Sequence, residues 1–599
     1  MIVNLIHRPA PGSQYEMFRL QQEMAHSLGL KVTLLLPYDF LFDERTLRDV
    51  REDHARYGDE LGLWLGELTG GHMAQEVESP EPFLWLHSRD NKEKILRAAL
   101  GKFSEALGGP PAAFGAYHMD AISMELLHRL CPTVKITIAG CFEEGVKVFH
   151  GCNNSWYLFN EGMPWFPWYP ARENSLRPAV TPEEWCGIVA VPHLARDLAL
   201  SFEGRNDFFA SHPANVQRAM ANDGATAPYV LNLLDVYRFQ ERLNQGFSYT
   251  NVFVGPNWLS GSPYVQDSDE VTQGLYRAYL EYFVTLREQG KLQDMHMSEF
   301  ADWFRSHVPV GTPQLYDARE ILYGGGKRYV WYCDSDLRVT FDLCQGGSIG
   351  DLRPFVARLP RSTGADRPEK AIGSNPYLIQ SQYRTGNAHH HADGARSTLL
   401  LTHGGETLDL ADVPAAAARV ERSDSGLVLE LKPVELRFSD GLEVAVQTTI
   451  RVERGGKIRF SRALAACSQP EAELLATEYV KGCWGVTEYP EPMEGIVLLV
   501  RGARDTAELT YRYGGRTLTL PEAAEAAAAL PQLGTTLGLT AVAGETVCAS
   551  VDEGYVFNPY YTLRVQGRIT REKGMETALW LEKNDFCTAA PSASAGKTT

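Results

Sequence analysis

Carboxylates, histidines and aromatic residues gather just after short apolar runs in the first half of this chain. In a parallel α/β barrel the C-terminal strand ends carry the chemistry, so these are the positions to weigh. The first run ends at His7 and Arg8, the second leads to Asp39, and the third gives Trp64 and Glu67. The fourth supplies Tyr117, His118 and Asp120, and later runs give His193 with Arg196 and Asn232 with Asp235. Two carboxyl groups facing each other across such a mouth suffice to cleave a glycosidic bond. One protonates the leaving oxygen, and the other attacks the anomeric carbon or activates water. A separation of about 5–5.5 Å gives retention and about 6.5–9.5 Å inversion.

Asp120 and Asp235 are the expected catalytic pair, with Glu67 a third catalytic carboxylate and Asp39 in reserve. Asp120 reads equally well as the N-cap of the helix that follows it. Substrate contacts fall to His7, Arg8, Trp64, Tyr117, His118, His193, Arg196 and Asn232. The segment HGCNNSWYLFNEGMPWFPWYPARENS carries Trp156, Tyr157, Trp165, Trp168 and Tyr169. An aromatic loop is costly to expose unless it binds something, so a sugar-binding lid is expected there, with Trp258 near the cleaved bond. Only His118-x-Asp120 has metal-ligand spacing, and zinc needs further ligands, so neither metal nor cofactor is expected. His389, His390 and His391 fall in a Gly- and Arg-rich loop of the second half.

The elements that must hold these residues follow from periodicity. Apolar runs at Val3–His7, Lys31–Pro37, Leu61–Leu65, Ala113–Tyr117, Val134–Ala139, Gly187–Val191 and Tyr229–Leu233 alternate with amphipathic segments such as Glu16–Leu28, Lys92–Leu107 and Ile122–Leu130. Seven strand-helix units predict a distorted (β/α)7 barrel over residues 1–311. A helix Glu270–Gln289 and a last one capped by Ser298 and ending near His307 close it. A linker at 312–318 follows. Residues 319–586 then turn to short alternating runs separated by Gly, Asp and Asn, which predict an antiparallel β-sandwich. Within it Pro521–Leu530, rich in Ala and Glu, reads as one surface helix, and residues 587–599 as a disordered tail.

This order of pieces resembles the NodB-type polysaccharide deacetylases and glycoside hydrolases of families 57 and 38, whose barrels precede a β-sandwich. The resemblance rests on DELGLWLGE at the third strand and the terminal SEFADW helix. His7-Arg8-Pro9 is similar to the first-strand element of family 57. Gly115-Ala116-Tyr117-His118-Met119-Asp120 is similar to that family's nucleophile motif Gly-x-Trp-x-x-Glu, which implies the nucleophile role for Asp120. The family's acid follows the seventh strand and implies Asp235. The deacetylases' metal ligands, an Asp-Asp pair after the first strand and two histidines near the third, are replaced here by HRPAPG and LWLGE. That favours a carboxylate glycosidase over a metal-dependent deacetylase or a non-catalytic carbohydrate-binding protein.

Bulk properties narrow the partners. The chain has 599 residues, 44% hydrophobic and 22% charged, which supports two sizeable cores. Its formal net charge of −18 opposes nucleic-acid binding, which needs clustered Lys and Arg. No stretch approaches a membrane span, and the start lacks a signal-peptide pattern, so a cytoplasmic protein with a carbohydrate substrate is expected. The ten cysteines include no CxxC pair and read as free thiols. A homo-oligomer is left open.

Overall fold

The computed structural model describes residues 1–141, 164–192, 198–199, 227–357, 376–380 and 396–584, except 13, 78–80, 254, 257–258, 260–268, 322–323, 487–488, 491 and 557. Its first half is a curled parallel sheet wrapped by helices, and its second half is antiparallel, in the order the sequence predicts.

The parallel half runs β1 (Ile2–His7), α1 (Gln14–Ser27), β2 (Val32–Pro37), α2 (Glu44–Tyr57), β3 (Glu60–Leu65), α3 (Met73–Glu76), α4 (Arg89–Leu107), β4 (Ala113–Met119), α5 (Ala121–Leu130) and β5 (Ile136–Cys141). A short hairpin, β6 (Pro170–Ala171) and β7 (Asn174–Pro178), precedes β8 (Val189–Pro192). Then come α6 (Ala227–Phe239), β9 (Tyr249–Val252), α7 (Asp269–Glu288), β10 (Gln293–Asp294) and α8 (Met297–His307). Strands β1 to β5 and β8 pair in parallel succession, and β1 also pairs with β9 and β10. Between the outer strands β8 and β9, Asn251 Nδ2 donates to the Pro192 carbonyl at 2.7 Å.

The inner face of the barrel is filled by alternate residues of each strand. Gly62 and Gly115 make room there: a Cβ on Gly115 would lie 2.5 Å from the Trp64 ring, and one on Gly62 2.7 Å from the Ala113 carbonyl. Helix α8 plugs the end where the strands begin. Its first amides, Met297 N and Ser298 N, donate to Thr33 Oγ1 and the Glu60 carboxylate at 3.1–3.2 Å, and Phe300 stacks on Tyr249 with centroids 4.4 Å apart. Negative charge at a helix N-terminus is favourable, so Glu60 fixes the plug. The cap itself is His296 with Glu299 in a capping box; Ser298, expected to cap, is already helical and bonds Glu60.

Two further expectations are corrected. Tyr229–Leu233 is not the seventh strand but part of α6, and β9 takes the strand's place. Val230, Leu233, Leu234 and Tyr237 recur at helical spacing, and Pro228 sits in the first turn, where its missing N–H costs nothing. Pro521–Leu530 is not a helix but the end of strand Thr517–Pro521 and the strand Glu525–Leu530. Ala526–Ala529 are at most 4% exposed between strands Val497–Arg501 and Thr535–Ala543, so sheet packing overrides alanine's helix preference.

Among the described residues the second half forms an 11-stranded and a 10-stranded antiparallel sheet facing each other over a shared apolar core, with one small two-stranded sheet besides. Gln314–Arg319 is already a strand of the larger sheet, and Tyr316, Tyr329 and Trp331 from that sheet belong to the barrel's core. The two halves therefore share one continuous apolar contact. No helix among the described residues is long and apolar enough to cross a membrane, and none of the seven cysteines whose side chains are described is in a disulfide.

Candidate active site

Three strand ends build a cationic aromatic floor at the barrel mouth. Arg8 follows β1, Trp64 is the penultimate residue of β3, and Phe253 follows β9. The Arg8 guanidinium lies 5.0 Å from the Trp64 centroid and 5.5 Å from that of Phe253, and the two rings are 5.2 Å apart. Trp64 owes its place to the absent side chain of Gly115 on the neighbouring strand. Phe253 escaped the sequence reading because β9 did; the short aromatic and β-branched run YTNVF between Gly246 and Gly255 is the signal, a weak one, that would have found it.

Asp120 sits at the C-terminal end of β4, fully buried, with both oxygens engaged. Oδ1 accepts from Ser123 N at 2.9 Å, so Asp120 caps α5, and Oδ2 accepts from Lys92 Nζ at 2.6 Å. Lys92 is itself fully buried in the first turn of α4. Nothing in sequence spacing joins residues 92 and 120; only the packing of α4 against α5 does. Glu67 is exposed just beyond β3, next to β4 in the sheet. Asp39 is exposed after β2, where Oδ1 accepts from His72 N at 2.7 Å and faces His72 Nδ1 at 3.2 Å. Gly71, in the left-handed region, lets the chain fold over that carboxylate. Asp39 therefore holds the loop that follows Glu67.

Several expected site residues lie elsewhere. His7 points away from the mouth into the helix layer: Nδ1 donates to Gln22 Oε1, and Nε2 accepts from the Tyr276 hydroxyl at 3.2 Å. Burial pulls its pKa down to about 3, so it is a neutral core histidine rather than a substrate ligand. Asp235 is in the middle of α6, paired with Arg238 at 3.0 Å and accepting from the Tyr282 hydroxyl at 3.3 Å, not at a strand end. Asn232 is exposed on the same helix. Trp165, Trp168 and Tyr169 form no exposed lid; all are at most 5% exposed. Trp165 packs beside Tyr316 and Trp331, Trp168 Nε1 donates to the Ser175 carbonyl, and the Tyr169 hydroxyl donates to the Val308 carbonyl at 2.7 Å. The Trp165 ring joins the two halves, while Trp168 and Tyr169 pack within the first half. His193, Arg196, Trp258, Trp156, Tyr157 and His389–His391 lie outside the described residues, as do the side chains of Tyr117 and His118.

Among the described residues one cluster has metal-ligand types, His26, Asp53 and Asp59, between α1, α2 and β3. Its atoms are already engaged: His26 Nε2 lies 3.0 Å from both Asp59 oxygens, Arg19 forks onto Asp53, and Gln22 Nε2 donates to Asp59 at 3.0 Å. The cluster serves as a buried network behind the sheet, continuous with His7 through Gln22.

No protein-family model matches the chain, and no curated protein does. Among solved structures, it is similar to a protein from Parabacteroides distasonis described as a candidate glycoside hydrolase/deacetylase. That match has 13% identity and a TM-score of 0.48, covering 64% of this chain and 92% of that one. A 4-alpha-glucanotransferase from Thermococcus litoralis matches at 10% identity and a TM-score of 0.29, over 97% and 99% of the two chains. A candidate polysaccharide deacetylase from Mycobacterium smegmatis matches at 13% and 0.30, over 53% and 94%. At these identities the likeness is one of chain path alone.

Proposed function

We propose that the chain is a carbohydrate-active enzyme that hydrolyses a glycosidic bond at the barrel mouth. The observation that carries this reading is the Arg8–Trp64–Phe253 floor, a guanidinium fixed over two rings at the strand ends. Trp64 and Phe253 are 2% and 6% exposed, so the rings fix the half-buried Arg8 from below, and a guanidinium oriented in advance donates to sugar hydroxyls at little entropic cost. Asp120 attacks the anomeric carbon, its direction set by Lys92 and the Ser123 amide. Glu67 on the adjacent strand end serves as acid and then base, since Asp235 lies within a helix.

A second reading, a non-catalytic carbohydrate-binding protein, has its own supporting observation: Asp120 and Asp235 are both salt-bridged. A metal-dependent deacetylase is the third. Screening aryl glycosides and acetylated sugars separates them. Hydrolysis of a glycoside that survives EDTA and is abolished by Asp120→Asn is the expected result, read beside circular dichroism of the variant, because asparagine keeps the cap but leaves the buried Lys92 charge unpaired. Sugar binding with no turnover moves the assignment to the second reading, and chelator-sensitive deacetylation to the third.

A further inference from the structure

A pocket lies where the barrel meets the sandwich, beside the C-terminal end of α8 rather than at the strand ends. It is walled by Trp168, Tyr169, Phe247 and Phe304 and bounded by Gln314 and Arg422. Its interior holds about 40 Å³ of water-sized space within about 520 Å³ of empty volume that opens to solvent. The inner part thus takes a small polar head, while the body of a ligand stays in the opening.

Two groups there lack the partners their chemistry calls for. Arg422, on the strand Ala417–Ser423, donates through Nη2 to the Pro313 carbonyl, whereas its buried Nε has no acceptor. Among the described residues no carboxylate pairs with it; the charge that bears on it is a second cation, Arg454. Gln314 Nε2 donates to the Pro167 carbonyl at 2.6 Å, which leaves Oε1 buried with no donor. A half-buried guanidinium with a buried, unpaired Nε and no counter-charge gains a partner from an anion of fitting shape.

We infer that this junction pocket binds a hydroxylated carboxylate of sugar-acid type, with Arg422 holding the carboxylate and Gln314 Oε1 accepting a hydroxyl hydrogen. The ring walls face the ligand's C–H surface. An inorganic oxyanion fits less well, because it needs several converging donors and has no use for an acceptor or an apolar wall. The inference stands apart from the mouth: turnover by Asp120→Asn reads the proposed hydrolysis, and calorimetry reads this pocket.

The test titrates the full chain with glucuronate, glucose and acetate. Glucuronate is expected to bind about tenfold or more tightly than glucose, the worth of one charge-assisted hydrogen bond. Arg422→Met should cost glucuronate a similar factor and leave glucose unchanged, and Gln314→Leu should weaken glucuronate without affecting acetate. Equal binding of glucose and glucuronate, or unaltered glucuronate affinity in Arg422→Met, overturns the inference. Acetate binding as tightly as glucuronate overturns the hydroxyl contact. If Arg422→Met does not fold, Gln314→Leu decides, and unaltered glucuronate affinity in that variant overturns the proposal.

Discussion

Lys92 and Asp120 form an ion pair with no exposure on either side, held under the N-termini of α4 and α5. Removing one member of such a pair strands the other charge away from water. Lys92→Met should therefore destabilise the protein by about 3–5 kcal/mol, read as a lower denaturant midpoint. Adding Asp120→Leu should restore most of that loss while leaving no turnover, which separates the pair's structural role from its chemical one. Two other buried groups give stability a pH dependence of opposite sign. His7 is held down to about 3 by burial, so the unfolded chain binds its proton first. Its contribution is complete above the ordinary histidine pKa and shrinks as pH falls from about 6.5 toward 3. Asp334 is pushed up to about 6 by burial and by Asp336, so its contribution shrinks as pH rises from about 4 to 6. His7→Asn should flatten the acid limb of a stability profile, and Asp334→Asn should steepen it. A profile unchanged by His7→Asn would show that His7 is not buried neutral.

At the scale of elements, paired strands β3 and β4 depend on bare backbone at Gly62 and Gly115, not on propensity. Gly62→Ala would set a methyl against the Ala113 carbonyl and Leu35 and should cost about 1–3 kcal/mol, seen as a fall in Tm. The strand alternation and helical periods of the barrel were legible because each element buries one face, and a single buried face leaves a strong pattern. β9 was not: four residues make a weak pattern, and the apolar helix α6 just before it offered a stronger but misleading one. The alanine strand Glu525–Leu530 shows the same limit, since local preference and sheet membership conflict there.

Across the whole molecule, the barrel and sandwich meet through Trp165, Tyr316 and Trp331, with ring centroids 5.8–6.4 Å apart. Shared burial of this kind couples the halves, so one thermal transition is expected by calorimetry. Trp331→Ala should remove about 3–5 kcal/mol and split that transition in two. If the wild-type chain already melts in two steps, the contact does not couple them.

The sequence by itself determined the class of each half and the positions of the first four strand ends, because hydrophobic periodicity is a local property of the chain. It also named both roles of Asp120, and the cap is now visible. Only the tertiary structure decided which side chains meet: Lys92 with Asp120, Phe253 with Arg8 and Trp64, and Trp165 with the sandwich. It also turned His7 outward and carried Asp235 into a helix. Those outcomes depend on contacts between residues far apart in the chain, where burial and charge pairing act through space.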